Sequence, residues 1–255
     1  MISQVRLGYR GYAKWSNFAD WNSFGMPSSN HDNAFHHFIE ARKEGGAGIW
    51  KWNHYFDIYE RHFSRFRDRE VHVLEIGIYS GGSLEMWRNY FGPSCHIYGV
   101  DIEPACKAYE SDGVQVFIGD QSDRAFWKRF RQAVPTLDIV IDDGGHLPEQ
   151  QIVTMEESLP YLRPGGVYLC EDLHGKQNGF AAYVYGMSWN FNAIEQFEEN
   201  FENPERRLLC KASALQSAIK SIHHYPFVTV IEKNDSKTTE LLAPKIGTKW
   251  EPIYK

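Results

Sequence analysis

Cysteine is scarce in this chain of 255 residues, and Cys95, Cys106, Cys170 and Cys210 never fall in a C-x-x-C spacing. That argues against a disulfide framework and against a clustered zinc site. Cys170, inside an apolar run, reads as a small core residue. No apolar stretch approaches the roughly 20 residues needed to cross a bilayer, so no membrane partner is expected. Met1 to Gly8 lacks the apolar core of a signal peptide, and the expected location is cytoplasmic. Basic charge is in deficit too. The formal net charge is −6, without the basic stripe by which nucleic-acid binders are recognised. Internal repeats and low-complexity tracts are absent.

Aromatic residues, at 15% of the chain, are plentiful and crowd the first part of it. Tyr9, Tyr12, Trp15, Phe18, Trp21, Phe24, Phe35, Phe38, Trp50, Trp52, Tyr55, Phe56 and Tyr59 precede any regular alternation, with loops at Pro27–Asn30 and Gly45–Gly48. Residues 1–66 are therefore expected to form an arm packed on a main domain of residues 67–255, or a lid whose rings close over a substrate. Such rings can equally meet a second copy of the chain, so a homo-oligomer is a candidate assembly. At this length one substantial core is expected rather than two equal domains.

From Val71 onward strands alternate with helices, the pattern of a mostly parallel sheet covered on both faces. Strands are predicted at Val71–Ile76, His96–Asp101, Val114–Ile118, Asp138–Ile141 and Val167–Cys170. Closing antiparallel strands are placed around Ser221–Tyr225 and Val230–Lys233. Helices are predicted from the glycine loop to Tyr90, over Glu103–Glu110, over Ser122–Gln132 with Ser122 as N-cap, and from Pro148 to about Tyr161. Arg163–Gly166 reads as a turn. Asn234–Thr239 reads as a polar loop, after which Leu241–Pro244 and Trp250–Pro252 can dock again.

The chemistry gathers where strands end. Ile141-Asp142-Asp143-Gly144-Gly145-His146 follows one buried run, and Glu171-Asp172 follows another. In open α/β sheets the ligand crevice lies beyond the carboxyl ends of the strands. Several carboxylates and an imidazole thus collect at one rim, a plausible site for a divalent metal and a general base. Gly77-Ile78-Tyr79-Ser80-Gly81-Gly82, between the first strand and its helix, can aim backbone N–H groups at a ligand. Tyr79 stands where a dinucleotide fold would carry its second glycine, which argues against a nucleotide-binding oxidoreductase. Asp101, at the end of the second strand, can take ribose hydroxyls, and Asp120 adds an acceptor beside the pocket. Glu75 lies within a strand and needs a cationic partner if buried. Asp142 can cap its own turn.

The succession Leu74-Glu75-Ile76-Gly77, Gly81-Gly82-Ser83, Gly99-Val100-Asp101-Ile102, Gly119-Asp120-Gln121-Ser122-Asp123, Ile141 to His146, Leu162 to Gly166 and Glu171-Asp172 resembles class I S-adenosylmethionine-dependent methyltransferases. More narrowly it resembles the catalytic domain of the metal-dependent macrolide sugar O-methyltransferases, of the mycinamicin 2''-O-methyltransferase type. The likeness runs over roughly residues 48 to 233. It implies a Rossmann-like sheet with S-adenosylmethionine bound by Glu75 and Gly77 at its methionine end, Asp101 at the ribose, and Asp120, Gln121 and Ser122 on the adenine side. Tyr79, Gly81, Ser83 and Asp142 are counted with that pocket. It implies magnesium held by Asp143, Glu171 and Asp172, His146 as general base, and a glycosylated small molecule as acceptor. Leu173 to Gly179 departs from the family pattern, as does the arm before residue 48.

The chemistry is coherent in its own terms. A sulfonium methyl group is already activated, so the difficult task is ionising an alcohol. Positive charge from a hard cation stabilises the alkoxide, carboxylate oxygens suit magnesium, and manganese also fits. A histidine of pKa about 6.5 can take the proton. The same chelation serves a catechol or other phenolic diol, and a noncatalytic nucleotide-binding module is the alternative of another class. His174, His223 and His224 are further candidate bases. Lys51, Trp52, His54 and Tyr55 can touch cofactor or acceptor, or simply form a half-buried helix face. Arg61, Arg65, Arg67 and Arg69 read as a solvated face.

Overall fold

The computed structural model of the chain describes residues 33–42, 45–175, 178–193, 197–199 and 207–244. Tyr9 to Phe24 and Trp250–Pro252 lie outside them. Strand β1 (Val71–Ile76) has parallel neighbours on both sides, β2 (Cys95–Asp101) and β4 (Leu137–Asp142). Beyond β2 lies β3 (Val114–Ile118), and beyond β4 lies β5 (Leu162–Cys170). Two antiparallel strands, β9 (Val228–Lys233) and β8 (Ile219–Tyr225), close that side, giving the order β3-β2-β1-β4-β5-β9-β8. The order reverses between β1 and β4, so the ligand crevice of such a sheet falls at their carboxyl ends.

Each face of the sheet carries its own apolar layer. On one, Val71, Val73, Ile97, Ile139, Ile141, Val167 and Leu169 pack under helices α1 (Ala34–Ala41), α2 (Tyr55–Phe63) and α3 (Gly82–Phe91). On the other, Leu74, Ile76, Val100, Val140, Tyr168 and Cys170 meet α4 (Arg124–Ala133), α5 (Pro148–Ser158) and α6 (Gly179–Phe191). The two-residue period of a strand produces this sorting. Phe35, Tyr59, Phe63 and Trp87 are buried against one another in the first layer, with Tyr59 and Trp87 ring centroids 5.0 Å apart. The described part of the aromatic segment is thus helical core, while Trp50 and Trp52 remain exposed. Arg65 and Arg67 lie over the rings of Phe66 and Tyr90, so that basic run also stacks on aromatic surface.

Several boundaries differ from the sequence expectation for local reasons. Helix α4 is capped by Asp123, whose side chain accepts from the Ala125 N–H, and not by Ser122, which bonds to Asp120. The expected Glu103–Glu110 helix is a 3-10 segment, Pro104–Tyr109. Arg163–Gly166 is the first part of β5 rather than a turn, held where the Gly165 N–H donates to the Asn234 carbonyl. A small antiparallel sheet pairs β10 (Glu240–Pro244) with β7 (Arg207–Lys211), and β7 with β6 (Phe197–Glu199). None of the described helices is long and apolar enough to cross a membrane.

Gly77 seals β1 to β4 at the crevice. Its φ is +81°, and a Cβ there would fall 2.0 Å from the Asp143 carbonyl oxygen. Gly77→Ala should therefore lose more stability than the roughly 1–2 kcal/mol that left-handed backbone alone imposes on a side chain. Urea denaturation checks this, and a loss below that range would mean that the two strand ends part easily.

Candidate active site

Strand parity decides where the acids point. Glu75 continues the series Val71, Val73; Asp143 continues Ile139, Ile141; and Glu171 continues Val167, Leu169. All three lie on the face covered by α2 and α3. Glu75 and Glu171 are essentially inaccessible to water, 0% and 1% exposed. The buried ammonium of Lys51 closes on them, 2.6 Å from Asp143 Oδ2, 3.0 Å from Glu171 Oε2 and 3.3 Å from Glu75 Oε1. Ser83 Oγ donates to the other oxygen of Glu75 at 2.6 Å. The cationic partner that a buried Glu75 requires is thus supplied by the chain itself.

Helix α2 reads the strand-end pair Glu171-Asp172 with two tyrosines one turn apart. Tyr59 donates to Glu171 Oε1 at 2.6 Å, and Tyr55 donates to Asp172 Oδ1 at 2.7 Å. Trp52 Nε1 adds a second bond to the same Asp172 oxygen at 3.1 Å. Burial and the adjoining carboxylates raise both phenol pKa values, so the tyrosines act as neutral donors. Sequence reasoning missed Tyr59. Its signal was the i, i+4 spacing from Tyr55, which places both on one helix face.

Asp143, His146 and Asp172 form a half-buried group whose ligand atoms all lie within 4.8 Å of one another. His146 Nε2 stands 3.8 Å from Asp172 Oδ2, and its Nδ1 is buried with no hydrogen-bond partner among the described residues. Glu171 sits deeper, with one oxygen taken by Tyr59 and the other by Lys51. Oxygen donors with an adjacent imidazole fit a hard divalent cation. Tyr79, His146 and Asp172 all carry positive φ without being glycine, at 44°, 56° and 55°. Each follows a strand of the crevice, and such strain, of about 1–3 kcal/mol per residue, concentrates at functional sites.

The remaining expected residues divide into rim and support. Asp101 accepts from the Ile78, Tyr79 and Glu103 backbone N–H groups, so it pins the glycine loop to β2. Asp120 holds Ser122 at the rim. Gln121 is buried beneath it, donating to Asp142 and Thr154 and accepting from the Gly145 N–H at 2.7 Å. Asp142 faces the second apolar layer, where it also accepts from Tyr168. Gly81 has φ +77° in the loop before α3. Tyr79, Ile102 and Leu147 expose large apolar surfaces around this rim, the last two unforeseen from the sequence. Of the other imidazoles, His174 lies 6.4 Å from His146 ring to ring. His223 bonds to Ser221 beside His62 and Glu232, and His224 to Ser188 and Thr229, apart from the acidic rim. His54 reaches the Pro226 carbonyl.

Burial dominates the electrostatics. It pushes Asp142 up to about 6 and Glu171 up to about 8, the latter against the pull of Lys51. Burial also disfavours the Lys51 charge, but Asp143, Glu171 and Glu75 together outweigh it and hold its pKa above the ordinary value. With its folded pKa raised from 4.5, Glu171 binds its proton more tightly in the folded chain. That stability is fully present below pH 4.5 and disappears as the pH rises through about 8. In chelator, the urea midpoint should fall across this window, and Glu171→Gln should flatten the fall. An unaltered slope would assign the pH dependence to other groups.

Comparison with known proteins places this geometry. Residues 74–173 match the family described as a methyltransferase domain. The 8-demethyl-8-alpha-L-rhamnosyl tetracenomycin-C 2'-O-methyltransferase of Streptomyces olivaceus is 32% identical over 202 residues, covering 74% of this chain and 52% of that protein. The mycinamicin VI 2''-O-methyltransferase of Micromonospora griseorubida is 38% identical over 122 residues, 45% of this chain and 30% of that protein. The chain therefore spans about half or less of the length of these relatives. A solved structure of the MycE methyltransferase of the mycinamycin pathway, in complex with Mg and SAH, superposes with a TM-score of 0.59 at 28% identity, over 70% of this chain and 48% of that one. A second, which also contains mycinamycin VI, gives 0.59 at 27% identity over 73% and 50%. Residues 74–173 thus form a methyltransferase domain, and the sheet has the class I methyltransferase fold.

Proposed function

We propose that the protein is an S-adenosylmethionine-dependent, magnesium-assisted O-methyltransferase that modifies a sugar hydroxyl of a glycosylated natural product. The observation that carries this reading is the convergence of Asp143, His146 and Asp172 beside the glycine loop, at the point where the sheet reverses its strand order. The relatives support the acceptor class, since those named above methylate sugars on larger molecules. The MycE complexes support magnesium and the spent methyl donor as ligands.

Asp143 and Asp172, with Glu171 behind them, would hold the divalent ion. When bound, S-adenosylmethionine supplies an activated methyl group and the ion supplies charge that favours an ionised hydroxyl. The chain's own residues do the rest. His146 takes the hydroxyl proton, while Asp172, fixed by Tyr55 and Trp52, lies 3.8 Å from its ring. Gly77 and Glu75 bound the methionine end of the donor, and Asp101 keeps the loop between them and the ribose in place. Tyr79, Ile102 and Leu147 offer apolar cover for the adenine side. On the acceptor side, the half-exposed rings of Trp52 and Phe227 stand 5.4 Å apart beside Asp172. Aromatic surface with a few convergent polar groups suits a sugar ring.

Calorimetric titration of S-adenosylhomocysteine, with magnesium and with chelator, tests the donor assignment. Turnover of rhamnosylated polyketides against simple catechols tests the acceptor. Asp143→Asn should abolish methyl transfer yet keep S-adenosylhomocysteine binding, and full activity would remove Asp143 from the metal site. His146→Ala should lower kcat by about 10²–10⁴-fold, the usual contribution of a general base, and an unchanged rate would place the proton acceptor elsewhere. Phe227 has φ 65° in the β8–β9 hairpin. Phe227→Gly suits that backbone, so the Tm should hold or rise while KM for a glycoside increases. An unchanged KM would take the acceptor away from this ledge.

A further inference from the structure

Lys51 bridges two halves of the site that the proposed reaction treats as separate. Its ammonium touches Glu75, on the donor side, and also Asp143 and Glu171, on the metal side. It arrives on a loop anchored at the glycine loop, where Ser80 Oγ donates to the Gly48 carbonyl at 3.0 Å. The same stretch lies so close that a Cβ on Gly82 would fall 2.3 Å from the Gly48 carbonyl oxygen. Residues 48–52 are in neither helix nor strand, and the neighbouring Trp50 is 90% exposed. Lys51 itself is buried, its side chain 3% exposed. The loop therefore leaves its tryptophans near water while it sends a long charged side chain inward.

An ammonium and a divalent ion are alternative cations for the same oxygens. Magnesium binds carboxylate oxygens at about 2.0–2.1 Å, and Lys51 already occupies Asp143 Oδ2 and Glu171 Oε2 at 2.6 and 3.0 Å. Two cations crowded onto one pair of carboxylates, Glu171 buried and Asp143 half-buried, repel each other. Given the metal reading, on which this step rests, we infer that Lys51 is an exchangeable counter-cation: in the metal-free protein it neutralises Asp143, and Glu171 once that carboxyl ionises, and it yields both when a divalent ion binds. The side chain has somewhere to go, because Glu75 remains as a partner outside the metal set. Lys51 is a positioning residue in this scheme, since it keeps the carboxylates gathered before the ion arrives.

The test is titration of magnesium chloride, and separately manganese chloride, into the full chain and into Lys51→Met, followed by calorimetry and by thermal melting. Without the competing ammonium, the variant should melt lower in chelator. It should bind the ion at least about tenfold more tightly, as expected when a competing occupant is removed, and gain more in Tm on metal addition than the parent does. Unchanged or weaker binding by Lys51→Met overturns the exchange. If Lys51→Met is unfolded in chelator, magnesium should restore its near-ultraviolet circular dichroism, because the ion replaces the missing charge; failure to restore it overturns the proposal as well. Equal affinity in the two proteins refutes the exchange alone, whereas absence of binding by both refutes the metal reading and the exchange together.

Discussion

Negative charge collected at the buried end of a sheet has to be neutralised, and most of the site's architecture serves that need. Glu75, Asp143 and Glu171 project from three neighbouring strands toward one layer of helices. An ionised carboxylate in such surroundings is costly unless paired and hydrogen-bonded. Lys51 pairs with all three, Ser83 completes Glu75, and Tyr59 completes Glu171. Removing one partner from a buried arrangement of this kind typically costs about 3–5 kcal/mol. The position of the loop before α2 is therefore set by charge as well as by packing.

Helix α2 has two duties that its sequence merges. One face, with Phe56 and Phe63, joins the aromatic layer around Phe35 and Trp87. The same helix gives Tyr55 and Tyr59 to the rim and His62 to Glu232 on β9. The β-strand period accounts for the last contact, since Glu232 follows Val228 and Val230 on the face that α2 covers. Core and site are thus one cooperative structure along this helix, not a scaffold with a detachable site.

Much of this was legible in the sequence, for a physical reason. Buried parallel strands appear as short apolar runs, and the residue that ends such a run stands at the crevice. Asp101, Asp120, Asp143, Glu171 and Asp172 were located that way, and β3 was found at its observed bounds. Local hydrogen bonding was harder to see. Ser122 and Asp123 are both good caps, and only the geometry of Asp120 decides between them. The part of Lys51 was beyond reach because its partners are distant in sequence. A lysine before an aromatic helix carries no periodic signal that it will turn inward. The left-handed backbone at His146 and Asp172 left no mark either, since neither residue is glycine.

That separation along the chain has a consequence for how the protein matures. Lys51 and Glu171, like Trp52 and Asp172, meet across 120 residues, and Tyr225 and Glu232 reach α2 across more than 160. Contacts of such span form only after the intervening strands have closed, because the entropy of loop closure must be met first. During synthesis the lysine and the tyrosines emerge long before the carboxylates they will hold. A partly made chain therefore owns only one side of these long-range interactions, and the acidic rim is complete only with the last strands of the sheet.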